Sequence, residues 1–242
     1  MKKLYDTNES LFAILWIVVY CVATIPIRGN LGDESVWMFA VLAVIAAAAT
    51  LFIRRHGLEA KYGLDRWPTD LGRYWYFIPM LVLMTGNLWG GFGIAYPGLG
   101  QLWAVLSMLL IGYVEEVIFR GFLFKMMLRK NGERPAIIVS SVTFGIGHLV
   151  NLLAGQASLE SVIQVFFAIA WGFIFTMVFY KCGSLWPCII VHALVDVFSK
   201  FGAASDNMTL GWIYMIATIL GAIVYCSQLA RLKTASNHIT TT

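Results

Sequence analysis

Charge is scarce in this chain. Only 12% of its 242 residues are Asp, Glu, Lys or Arg, against 60% hydrophobic, and the mean hydropathy is +0.77. So little polar surface cannot cover a water-soluble globule, which excludes a soluble domain and points to an integral membrane protein. Cysteine is scarce too. Cys21, Cys182, Cys188 and Cys226 fall within or at the ends of apolar runs, with no C-x-x-C spacing and no paired extracellular pattern, so they read as small apolar side chains. Internal repeats, low-complexity tracts and long linkers are missing, which leaves a single integral membrane domain over 1–242. The start, MKKLYDTNESLFAILWIVVY, has the charged-then-apolar order of a signal peptide, but no convincing small-residue cleavage site follows, and the first span is expected to be retained.

What the chain does have is long apolar runs. A hydrocarbon core about 30 Å thick needs roughly 20 mostly apolar helical residues to cross it. Eight segments qualify, at about 11–27, 36–53, 74–95, 100–128, 135–155, 161–180, 184–201 and 208–230. The expected fold class is therefore all-α: a polytopic bundle of about eight transmembrane helices. The fourth, fifth and seventh spans carry ionisable side chains and the other five carry none.

Lysine and arginine set the expected orientation, because cytoplasmic loops retain them. With the N-terminus inside, one face collects Lys2, Lys3, Arg54, Arg55, Lys61, Arg66, Arg73, Arg120, Lys125, Arg129, Lys130, Arg134, Lys181, Arg231 and Lys233, leaving Arg28 and Lys200 on the other. That split fits an even number of spans with both termini cytoplasmic, in a cell (plasma) membrane. The net charge of +4 then belongs beside anionic lipid and calls for no nucleic-acid partner. The loop RRHGLEAKYGLDRWP, within 54–73, mixes apolar and basic residues and has two readings, an interfacial segment or a solvated connector. The tail RLKTASNHITTT reads as a short cytosolic end with His238 solvated.

Within the fourth span stands YVEEVIFRG, residues 113–121, where ionised groups cost about 2.5–3.5 kcal/mol each at mid-membrane. Glu116 and Arg120, at i and i+4, can pair across one helical turn, which explains that glutamate. Glu115 is rotated by about 100° and is left over. The fifth span carries Phe144 four residues before His148, and the seventh carries His192 four residues before Asp196, on one helix face. Each has a structural reading alone: a neutral buried acid for Glu115, an interhelical hydrogen-bonder for His148. Glutamate, histidine, and histidine with aspartate on three spans at similar depth instead imply a polar chamber, an active site inside the bundle. Such a set suits amide hydrolysis: a base for water, a donor for the leaving amine, and a donor or cation for the oxyanion.

EEVIFR, FGIGH and HALVD resemble the three motifs of the CPBP family, the CAAX-protease and bacteriocin-processing group also called Abi, over about residues 112–200. The resemblance implies an intramembrane endopeptidase, opening to the cytoplasmic side, for membrane-associated peptides or lipidated proteins of CAAX or bacteriocin and pheromone type. It assigns water activation to Glu115 and His148, oxyanion binding to His192 and Asp196, and support to Glu116 and Arg120. Asp196 departs from the asparagine form of the third motif. An ionised Asp196 repels an oxyanion, so a direct role requires its protonation, and two other jobs are open to it: orienting His192, or joining His148, His192 and Glu115 around Zn2+ as a metalloendopeptidase. The chain lacks H-E-x-x-H, so zinc stays open. Two rivals remain. One is a non-proteolytic scaffold, for immunity or for regulating a membrane sensor. The other is a proton-coupled transporter, against which stands the absence of paired, interrupted half-helices.

Overall fold

A computed structural model of the chain describes residues 1–68, 77–152, 155, 158–202 and 208–232. Arg73, Lys233 and His238, and the outermost residues of the third expected span, lie outside the described residues. A short helix α1 (Lys2–Thr7) leads into α2 (Glu9–Leu31), whose first turn is capped by Asn8 accepting from the Leu11 amide at 3.0 Å. Helix α3 (Val36–Arg55) starts at Ser35, which caps Trp37 in the same way. Then follow α4 (Phe77–Leu83), α5 (Leu99–Glu116), a π-helical stretch Val117–Phe124 and α6 (Lys125–Asn131). The last three run on as one rod of 33 residues. Helices α7 (Glu133–Gly147), α8 (Ser158–Cys182), α9 (Trp186–Ser199) and α10 (Met208–Arg231) complete the bundle.

Among the described residues six helices are long and apolar enough to cross a membrane, and two shorter apolar helices, Phe77–Leu88 and Trp186–Ser199, accompany them. Many of their large apolar side chains face outward, among them Val22, Trp37, Val44, Ile78 and Ile223. In water such exposure would be penalised; in lipid it costs nothing. The chain is an all-α, multi-pass membrane protein.

Two expected spans come out differently. The third is not one helix: α4 ends at Leu83, a 3-10 turn occupies Gly86–Leu88, and an extended segment follows in which Gly93 and Ala95 donate to the carbonyls of Phe201 and Lys200. Gly91, at φ +117°, makes the reversal that an L side chain resists. The seventh span is only 14 residues, about 21 Å of helix. Its N-terminal end is met by the 54–68 loop, where Gly63 accepts from the Leu185 amide at 2.9 Å, Leu64 from the Trp186 indole at 3.1 Å and Arg66 from the Ser184 hydroxyl at 2.8 Å. With Tyr62 fully buried, this loop is docked into the bundle rather than a solvated connector.

The two ends of the bundle differ in charge. At one, Glu9 is buried against Lys61 and Arg129, and Lys130 reaches Ser10. At the other, Arg28 and Lys200 share Asp33 at 2.9 and 2.8 Å, and Arg28 also donates to Asn151. The four cysteines are free, with Cys182 and Cys188 buried, as expected of small apolar fillers.

Candidate active site

The site begins where α5 and α9 touch. A side chain on Gly112 would sit 2.6 Å from the backbone nitrogen of Ala193, so only glycine lets the two backbones come this close. That contact brings His192 under the two glutamates of α5. His192 Nδ1 lies 2.8 Å from Glu116 Oε1, and the same oxygen accepts from Arg120 Nη1 at 2.9 Å. Glu116 and Arg120 have no exposed surface at all. A charge this deep is tolerable only when paired, and Arg120 adds a contact to the Gly172 carbonyl on α8.

Aromatic rings wall off this layer. The Arg120 guanidinium lies 4.2 Å from the centre of the Phe144 ring, and that ring packs edge-on against both His148 and His192. Phe175 stacks on His192 from the other side at 5.3 Å. The carboxylate and the two rings leave His192 one orientation, with Nε2 pointing 3.6 Å from Glu115 Oε2 and 3.5 Å from Asp196 Oδ2.

Glu115, His148 and Asp196 line a cavity of about 530 Å³, within the range of about 300–1,000 Å³ usual for ligand sites. Glu115 Oε1 accepts a 2.5 Å hydrogen bond from the Tyr20 hydroxyl, while Oε2 faces His192 Nε2 at 3.6 Å, beyond hydrogen-bond distance. His148 stands just past the end of α7 with Nδ1 3.1 Å from the Phe144 carbonyl. A carbonyl only accepts, so Nδ1 carries the proton and Nε2 presents a lone pair.

The structure thus gathers Glu115, Glu116, Arg120, Phe144, His148, His192 and Asp196 in one place. One expected job changes hands. At 3.5 Å Asp196 is too far for an N–H···O bond to His192, and Glu116 is the carboxylate that orients the ring. The zinc arrangement fits poorly. Zinc needs ligands converging at about 2.0–2.2 Å, His192 has one nitrogen committed to Glu116, and among the described residues no three His, Cys, Asp or Glu are grouped to hold a metal.

Sequence reasoning missed Tyr20, Phe175 and the Arg28–Asp33–Lys200 cluster. A hydroxyl in the middle of an apolar span was a usable signal for Tyr20, since a buried phenol needs a partner. Nothing separates Phe175 from the other aromatics of α8.

The cavity has a direction. From Ile17 and Phe119 its lining runs through Tyr20, Cys21 and Thr24 to Arg28, Asp33, Asn151, Gly155 and Lys200. Towards the Glu9 end lies a cluster of packed aromatics, tilted or edge-on to one another: Phe12 meets Phe52 and Phe122 at 4.8 and 5.0 Å, and Phe122 meets Trp16 and Tyr62 at 5.6 and 5.3 Å. The lining thus leads to the Arg28 end, away from the Glu9 end.

Comparison with known proteins gives one similarity. The model of the Rce1-like family, type II CAAX prenyl endopeptidase Rce1-like, matches residues 97–198. The match covers the helices that carry Glu115, His148 and His192, and it bears out the CPBP resemblance. The family is described as a type II CAAX prenyl endopeptidase family, and the match covers somewhat less than half of the chain. No curated protein and no solved structure matches the chain.

Proposed function

We propose that this protein hydrolyses peptide bonds of membrane-associated peptides or lipidated proteins with a water molecule activated by Glu115 and His148. The observation that carries the reading is the setting of Glu115: one oxygen is held by Tyr20, and the other, without a hydrogen bond and 3.6 Å from His192 Nε2, belongs to a side chain that lines the cavity with His148 and Asp196. In the proposed reaction, water donates one proton to Glu115 Oε2 and the other into a hydrogen bond to His148 Nε2. Its oxygen attacks the amide carbonyl. With N–H on both nitrogens, His192 gives one to Glu116 and turns the other, on Nε2, to the oxyanion. Collapse breaks the C–N bond, and Glu115 passes its proton to the leaving amine. Glu116 and Arg120 fix the His192 ring and keep its Nε2 aimed at the reacting carbonyl. Asp196 Oδ2 stands 3.5 Å from the same nitrogen. No step needs a metal.

Both termini are proposed to be cytoplasmic, in the plasma membrane, on the strength of the uneven basic residues. The test is to reconstitute the purified protein, offer membrane-associated peptides, and compare wild type with Glu115→Gln and His148→Ala. Cleavage lost in both variants supports the enzyme. A biological effect that survives both substitutions would instead favour a scaffold.

A further inference from the structure

We infer that the cavity is reached from the extracytoplasmic face, and that its substrate is a polar peptide segment presented there rather than a cytosolic prenylated end. The inference rests on the endopeptidase reading and names its side of access and its substrate class.

Geometry and charge carry it together. Along α2 the lining climbs from Tyr20 to Arg28, eight residues or about 12 Å. It ends among turns: Asp33 between α2 and α3, Asn151 and Gly155 between α7 and α8, Lys200 after α9. The opposite end is blocked by the Phe12, Phe52, Phe122 and Tyr62 rings and, beyond them, by buried Glu9 with Lys61 and Arg129. The blocked end is also the basic one. Arg54, Arg55, Lys61, Arg66, Arg129, Lys130, Arg134, Lys181 and Arg231 stand in the loops and helix ends there, whereas Arg28 and Lys200 alone mark the open end among the described lysines and arginines. Since basic loops stay in the cytoplasm, the open end faces out.

The lining of the outer half says what enters. Arg28 Nε and Lys200 Nζ converge on the single carboxylate of Asp33, two cations to one anion, and Asn151 links Arg28 to Gln164. A prenyl chain gains nothing from such walls, because its transfer from lipid is driven only by apolar contact. A peptide backbone finds donors and acceptors, and an acidic side chain or terminal carboxylate finds a net positive charge.

The test reads thiols in intact cells expressing the full chain. Ser199 is exposed and lines the open end, while Asn131, the exposed last residue of α6, marks the closed one. A membrane-impermeant maleimide is expected to label Ser199→Cys in intact cells and Asn131→Cys only after permeabilisation. Native Cys21, inside the cavity, is expected to react with a small charged thiosulfonate added outside, a signal lost in Cys21→Ala. The reverse labelling order would overturn the inference, as would a Cys21 that reacts only in inverted vesicles or from neither face. Labelling is read separately from cleavage. If the pattern holds but neither wild type nor any variant cuts peptides, the access side stands and the peptidase reading fails; if peptides are cut but labelling is reversed, only the access side fails.

Discussion

Glu115 lines a cavity and bonds a phenol, whereas Glu116, one residue further on, is sealed against Arg120 and His192 with no exposed surface. The same side chain on the same helix serves two ends because successive positions on a helix point about 100° apart. One face of α5 meets a hollow and the other meets α9. The difference teaches that in a membrane a pair of acids need not share a partner: one can be neutralised by a buried arginine, and the other can be kept available by a neighbour that holds one oxygen.

The comparison breaks most visibly at Glu115. Glu115→Gln keeps the shape and removes the base, so cleavage of a membrane peptide should fall by about 10²–10⁴-fold while the thermal midpoint in detergent stays near wild type. Arg120→Met should do the opposite in kind. It strands Glu116 in the interior, at a cost of about 3–5 kcal/mol, read as a large loss of stability by denaturant or heat. The double variant Arg120→Met with Glu116→Leu should regain most of that stability but not activity, because His192 loses the carboxylate that aims it. If Arg120→Met proves as stable as wild type, the sealed layer is not what holds the π-helical stretch to α8.

Tyr20→Phe sharpens the comparison. It removes only the hydroxyl that occupies Glu115 Oε1, a hydrogen bond to a charged group being worth about 1.5–3 kcal/mol, so a loss of at least about tenfold in cleavage with little change in folding is expected. An unchanged rate would mean that Glu115 needs no such neighbour. The smallest effect lies at the cavity mouth. Burial alone would raise the Asp33 carboxyl, but the charges of Arg28 and Lys200 outweigh it and hold the group below its ordinary range. A depressed carboxylate adds stability that is present above its unfolded value near pH 4 and is lost as the pH falls through the folded value. Asp33→Asn should therefore cost about 1 kcal/mol at neutral pH and abolish that part of the acid sensitivity, as measured by thermal midpoints across pH 3–7.

The sequence made the membrane class legible, because an apolar run long enough to cross lipid has few other uses. It also exposed the three motif helices, since an ionised residue in such a run demands a reason. The break in the third span was hidden: hydropathy measures transfer to lipid, and the residues around Gly91 are as apolar as those of a helix although their backbone pairs with Phe201 and Lys200 instead. The identity of the carboxylate that orients His192 was hidden for another reason. Asp196 lies at the helical spacing that suggests contact, while Glu116 reaches the ring only through the close passage of Gly112 past Ala193, a tertiary fact. The direction of the cavity was equally out of reach, because it depends on which end the aromatic rings of α2, α3 and the π-helical stretch happen to fill.

The most direct measurement of the central claim is a single turnover of a membrane-associated peptide in heavy-oxygen water, followed by mass spectrometry of the new carboxyl terminus. If Glu115 activates water, wild type places one solvent oxygen in that carboxylate and Glu115→Gln yields no product. Product formed at the wild-type rate by Glu115→Gln, or a carboxylate whose new oxygen comes from the protein rather than the solvent, would contradict it.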